Sequence, residues 1–93
     1  MRRLGERRNT LEAYDAALAS GDTETVKSLV GDMLADGVDP VSVLTDVVAA
    51  AQREVGRRWK RGEFTVAQEH AATATAISAT KVVAQHVQRM PVT

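Results

Sequence analysis

Residues 39–70 read DPVSVLTDVVAAAQREVGRRWKRGEFTVAQEH, and this stretch sets the fold. Asp39 and Pro40 open a helix: the Asp side chain caps it, and Pro stands in the first turn, where a missing amide proton is harmless. Leu44, Val48, Ala51, Val55 and Trp59 then recur at four- and three-residue steps, which makes one core-facing ridge with Trp59 at its far end. Gly62 closes this helix, and Thr65 with Gln68 forms a capping-box pair that opens the next. That last helix can run to about Arg89, before Pro91 forbids more.

The same grammar extends toward the N-terminus. Asn9 and Glu12 have capping-box spacing, and Leu11, Tyr14 and Leu18 share one face of the short helix that follows. Ser20-Gly21-Asp22 supplies a stop and a start. The second helix then runs to about Asp36 with Val26, Leu29, Val30, Met33 and Leu34 as its buried stripe, and Gly37 ends it. Residues 1–8 carry Arg2, Arg3, Arg7 and Arg8 against Glu6, with Gly5 among them, and are expected to be a flexible basic tail. Residues 9–90 form one domain, and 91–93 a stub. The fourth helix is rich in small residues (Ala67, Ala71, Ala72, Ala74, Ala76 and Ala79), so neighbours can come close. No segment alternates with the period of a strand and the connections are short, so the expected fold is all-α, an antiparallel four-helix bundle.

Composition removes several classes of function. With 93 residues there is room for one modest core. Twelve basic and twelve acidic side chains cancel, so no global field draws the chain to nucleic acid or to an anionic membrane. The absence of cysteine excludes thiolate metal sites and nucleophiles and suits a reducing compartment. The longest apolar run, Val47 to Ala51, is far short of the roughly 20 residues that span a bilayer, and residues 1–8 lack the apolar segment of a signal peptide. A soluble, cytoplasmic protein is expected. There is no Gly-x-Ser-x-Gly elbow and no phosphate-cradling glycine loop. His86 lies about four turns beyond His70, too far to share a metal. Asp32, Asp36, Asp39 and Asp46 do not have calcium-loop spacing. Arg53, Arg57, Arg58, Lys60 and Arg61 surround Trp59, but cations in the last turns of a helix complement its dipole. No catalytic residues and no metal ligands are assigned, and the chain reads as a binding module, not an enzyme.

One constellation carries chemistry. Val66, Glu69 and His70 stand at i, i+3 and i+4, on one face of the fourth helix at its start. Trp59 faces them from the end of the third. Together they describe a shallow pocket walled by an indole, floored by Val66, and equipped with a carboxylate and an imidazole. That suits a flat or nucleoside-like ligand.

Trp-x-x-Gly followed by Val and Glu-His at these offsets, with two short and two long helices and the Gly-Asp and Asp-Pro junctions, resembles the helical cap of cobalamin-binding proteins. The likeness is closest to adenosylcobalamin-binding regulators and photoreceptors, and it spans most of the chain. It implies a bundle like the cap of methionine synthase, lying over the upper axial face of the corrin ring. Cobalamin, in its adenosyl form, is the implied cofactor. The position of Trp59 is then the lid, and Val66, Glu69 and His70 line the same cavity, the polar pair hydrogen-bonding the adenosyl group. The lower cobalt ligand comes, in that family, from a following α/β domain with an Asp-x-His-x-x-Gly loop, which these 93 residues do not contain. The chain is therefore expected to be an excised cap that by itself binds cobalamin weakly or not at all. Lys60 stands where some light-responsive members have a cobalt-binding His after the Trp, and a protonated amine is no cobalt ligand, so a light switch is not expected. A corrinoid methyl-transfer cap and a cofactor-free helical interaction module are the alternatives. Apolar surface left uncovered favours a homodimer of the isolated bundle.

Overall fold

Gly21, Gly37 and Gly62 divide the chain into four rods. Each has positive φ (72°, 90° and 77°), in the left-handed region where a Cβ costs about 1–2 kcal/mol. After each one the next amide turns back onto the finished helix: Asp22 N–H to the Ala17 carbonyl at 2.8 Å, Val38 N–H to Met33 at 3.1 Å, and Glu63 N–H to Arg58 at 2.9 Å. The computed structural model describes residues 4–91, as α1 (Leu4–Ser20), α2 (Thr23–Ala35), α3 (residues 40–60) and α4 (Val66–Arg89). No strand occurs among the described residues.

The caps follow the sequence at three of the four starts. Asp22 accepts from the Thr25 amide at 3.2 Å and the Thr25 hydroxyl at 2.7 Å, bonds that hold its carboxyl below the usual range. Asp39 accepts from the Ser42 amide at 3.2 Å with Pro40 in the first turn. Thr65 and Gln68 complete a reciprocal box, the Gln68 amide donating to Thr65 Oγ1 at 3.1 Å and the Thr65 amide to Gln68 Oε1 at 2.8 Å.

The first start differs. Helix α1 begins at Leu4, so Asn9 is an exposed interior residue and not a cap, and residues 4–8 belong to the helix. The physical reason is cooperativity: one glycine inside a helix costs only about 1 kcal/mol, less than is needed to stop propagation from the turns that follow. Residues 1–3 of the expected tail, and residues 92–93 of the expected stub, lie outside the described residues.

Helix α3 combines three contiguous segments: α-helical Pro40–Ser42, π-helical Val43–Ala49 and α-helical Ala50–Lys60. Its backbone stays right-handed helical across both joins. The π-helix shifts the apolar ridge from its expected course: Val43, Val47, Val48, Ala51 and Val55 are buried, and Leu44 only partly. The ridge ends at Val55. Trp59 is 45% exposed, not core-facing as the periodicity implied.

Tyr14, Leu18, Val26, Val30, Val43 and Val83 make the innermost core. Helix α2 packs most extensively on α4, across the small residues Ala72, Thr75, Ala76 and Ala79. A hydroxyl pair, Thr23 Oγ1 and Thr75 Oγ1 at 2.9 Å, joins the two helices inside this contact. The buried Tyr14 hydroxyl has no hydrogen-bond partner, and burial, then the charge of Asp15, pushes its pKa up to about 12.

Candidate functional site

The turn from α3 to α4 is anchored by Phe64, which the periodicity did not assign to the core but which is buried. The Arg58 guanidinium covers its ring at 4.3 Å from the centroid. Glu63 accepts from Arg58 at 3.4 Å and also from Arg61. Glu54 is bound by Arg57 at 2.8 Å and by Arg61 at 3.4 Å. These bonds hold both carboxyls below their usual range, Arg57 acting most on Glu54 and Arg61 most on Glu63. Three of the five cations around Trp59 are thus engaged with carboxylates, which leaves little of the basic patch for phosphate.

One bond sets the register of the seam between α3 and α4: Gln52 Nε2 donates to Thr73 Oγ1 at 3.0 Å. The two helices run antiparallel through a short turn. Trp59 is seven residues after Gln52 and Val66 seven before Thr73, two turns or about 10 Å along each rod. This count puts Trp59 and Val66 at the turn end of the two rods, at matching heights along the seam. Both are exposed, at 45% and 58%, whereas the other two aromatics, Tyr14 and Phe64, are buried.

Glu69 and His70 follow one turn further in. The Thr73 hydroxyl donates to Glu69 Oε1 at 3.3 Å, and Glu69 Oε2 lies 3.7 Å from His70 Nε2. The Glu69 side chain is 31% exposed and His70 77%, so the imidazole faces solvent while the carboxylate lies in the seam. By the same register Gly56 stands opposite Glu69, and a Cβ there would meet nothing within 4 Å. The glycine thus serves no close helix contact.

Toward the other end of the seam the surface deepens into a groove of about 530 Å³ lined by Leu44, Val48, Gln52, Thr73, Ala76 and Ile77. A larger hollow, about 620 Å³, lies at the junction of α2 and α3 beside Asp36, Asp39 and Asp46. The length of α3 separates it from Trp59. Among the described residues no group of three or more His, Cys, Asp or Glu side chains is placed to hold a metal, and no helix is long and apolar enough to cross a membrane.

Gln52 and Thr73 were not singled out as site residues by sequence reasoning. The seven-residue intervals from Gln52 to Trp59 and from Val66 to Thr73 were the available signal, but an interval becomes a contact only when the register between two helices is known.

The residues present fit a large flat ligand with an upper polar group: an uncovered indole and isopropyl group, a carboxylate held by one oxygen, and an imidazole beside it. No curated protein matches the chain. The family described as the B12 binding domain matches residues 10–83, from the middle of α1 to the last buried valine of α4 and across all four candidate site residues. In that family the cap normally pairs with an α/β cobalamin-binding domain. The chain belongs to the helical cap family of B12-binding proteins.

Proposed function

We propose that this chain is the cap of a cobalamin-dependent sensor or regulator and covers the upper, adenosyl-bearing face of the corrinoid. When bound, the cofactor supplies a cobalt–carbon bond. The work of this chain is to exclude water from that bond and to recognise the group attached to it. Trp59 is the lid and Val66 the floor. Glu69 accepts from hydroxyl or amine donors of the adenosyl group, and His70 offers a second polar contact. What supports this reading is the exposure of Trp59 and Val66 on either side of the α3–α4 turn, with the Glu69–His70 pair in the opening turns of α4. A methyl ligand has no donor for that polar pair, so the adenosyl form is the better match. No residue of this cap performs chemistry in this role.

The test is an absorbance titration of the chain joined to an α/β cobalamin-binding domain, with adenosylcobalamin and methylcobalamin, in the dark and after illumination. Trp59→Ala should weaken adenosylcobalamin binding and speed photolysis. Equal affinity and photolysis with and without the indole would refute the lid.

A second reading, a docking surface for a protein helix, draws support from the groove along the seam and from Ile77, Val87 and Met90, which are exposed beside or beyond it. Under that reading Ile77→Asp abolishes complex formation with a partner and leaves cobalamin affinity alone.

A further inference from the structure

We infer that Gln52 and Thr73 are positioning residues that fix the Glu69 carboxylate as an acceptor for the ligand. The inference rests on the adenosyl-face reading above and adds to it a relay across two helices. A hydroxyl has one proton to give. Thr73 gives its proton to Glu69 Oε1 at 3.3 Å and takes one from Gln52 Nε2 at 3.0 Å, so the chain has one direction: Gln52 to Thr73 to Glu69. An ionised carboxylate can only accept, and the relay ends on it correctly. Oε1 is thereby held in the seam, and Oε2 is left on the His70 side, 3.7 Å from the imidazole.

The opposite assignment reverses the outcome. Were the Gln52 carbonyl turned toward Thr73, the hydroxyl proton would go to Gln52 and Glu69 would lose its donor. In the observed direction Gln52 Oε1 is left buried without a partner. Gln52 also joins α3 to α4, so the donor that orients Thr73 comes from the neighbouring helix. The relay stands at the boundary between the apolar groove and the polar end of the seam, which makes it a determinant of which upper ligand is accepted.

The experiment has two arms. In the first, the chain joined to an α/β cobalamin-binding domain is titrated with adenosylcobalamin and methylcobalamin. Thr73→Val and Gln52→Leu should each lower the preference for the adenosyl form by roughly three- to tenfold, the range of one hydrogen bond, with little change for the methyl form. Thr73→Ser, which keeps the hydroxyl, should restore the preference. If Glu69→Gln abolishes the preference while Thr73→Val and Gln52→Leu leave it intact, the relay is wrong and the adenosyl reading survives. If Trp59→Ala and Glu69→Gln are also without effect, the adenosyl reading itself fails.

In the second arm no cofactor is present. The carboxyl carbon of Glu69 is followed by NMR in the 93-residue chain, together with the side-chain amide protons of Gln52. Thr73→Val and Gln52→Leu should both shift the Glu69 carboxyl signal, and Thr73→Val should remove the exchange protection of the Gln52 amide. A Glu69 signal indifferent to Gln52 overturns the relay whatever the titrations show.

Discussion

The Arg58 guanidinium lies 4.3 Å over the ring of Phe64 and ties the last turn of α3 to the buried residue that precedes α4. The turn between Trp59 and Val66 carries this contact in addition to its backbone bonds. Phe64→Ala should cost about 3–4 kcal/mol, as other aromatic deletions in cores do, and Phe64→Leu under about 1.5 kcal/mol. Arg58→Met, which removes the cation but keeps much of the stem, should cost only about 0.5–1 kcal/mol. Urea unfolding of the three variants checks the order. An Arg58 variant more damaging than Phe64→Ala would contradict it.

Two glycines of α3 and its end should respond to alanine with opposite sign. At Gly62 φ is +77°, so Gly62→Ala should destabilise by about 1–2 kcal/mol. Gly56 has an ordinary helical backbone and open space around its Cβ position, so Gly56→Ala should stabilise by up to about 1 kcal/mol. Denaturant midpoints of the pair decide this.

Trp59 should matter little to the isolated fold. Its half-exposed ring and position beyond the core ridge predict less than about 1 kcal/mol of destabilisation for Trp59→Ala. Its fluorescence should be quenched by acrylamide in the free chain and shielded once a cofactor-loaded α/β domain is added. A large stability loss would return Trp59 to the core and weaken its assignment as a lid.

Tyr14 gives a pH dependence whose sign can be worked out. Its hydroxyl ionises near pH 10 in the unfolded chain and at about 12 in the fold. Between these values the unfolded state loses the proton first, so stability falls as pH rises from about 10. Tyr14→Phe should flatten this alkaline decline. At neutral pH it should be neutral or stabilising, because the hydroxyl it removes is buried without a partner. Thermal melts from pH 7 to 11 test both parts.

The Thr23–Thr75 hydroxyl pair should show non-additivity. Thr75→Val alone strands the Thr23 hydroxyl and should cost about 1–3 kcal/mol, whereas the double change Thr23→Val with Thr75→Val should recover part of that loss. A fully additive double-mutant cycle would argue against the bond.

The sequence foretold the junctions best, because they depend on local chemistry. Gly21, Gly37 and Gly62 end helices, and Asp22, Asp39 and Thr65 begin them, within a few residues of their own backbone. The start of α1 was misjudged at Asn9, since a capping box can also sit unused inside a helix. Along α3 the fixed period placed Leu44 against the core, where it packs partly buried, but it missed Val43 and Val47 in the π-helical stretch and carried the ridge on to Trp59, which lies beyond the last buried residue, Val55. At the candidate site, Trp59, Val66, Glu69 and His70 were legible as a motif. Gln52 was not, because its part depends on the alignment of two rods.

The π-helical stretch Val43–Ala49 has a consequence for how the chain tolerates a change in length. Bonds from i to i+5 take up one residue more per turn than those from i to i+4. Removing a single residue there can be absorbed by rewinding to an ordinary turn, with everything downstream keeping its bearing. The same deletion at Gln52 or Arg53 has no slack to draw on and swings the indole about 100° around the rod, away from Val66.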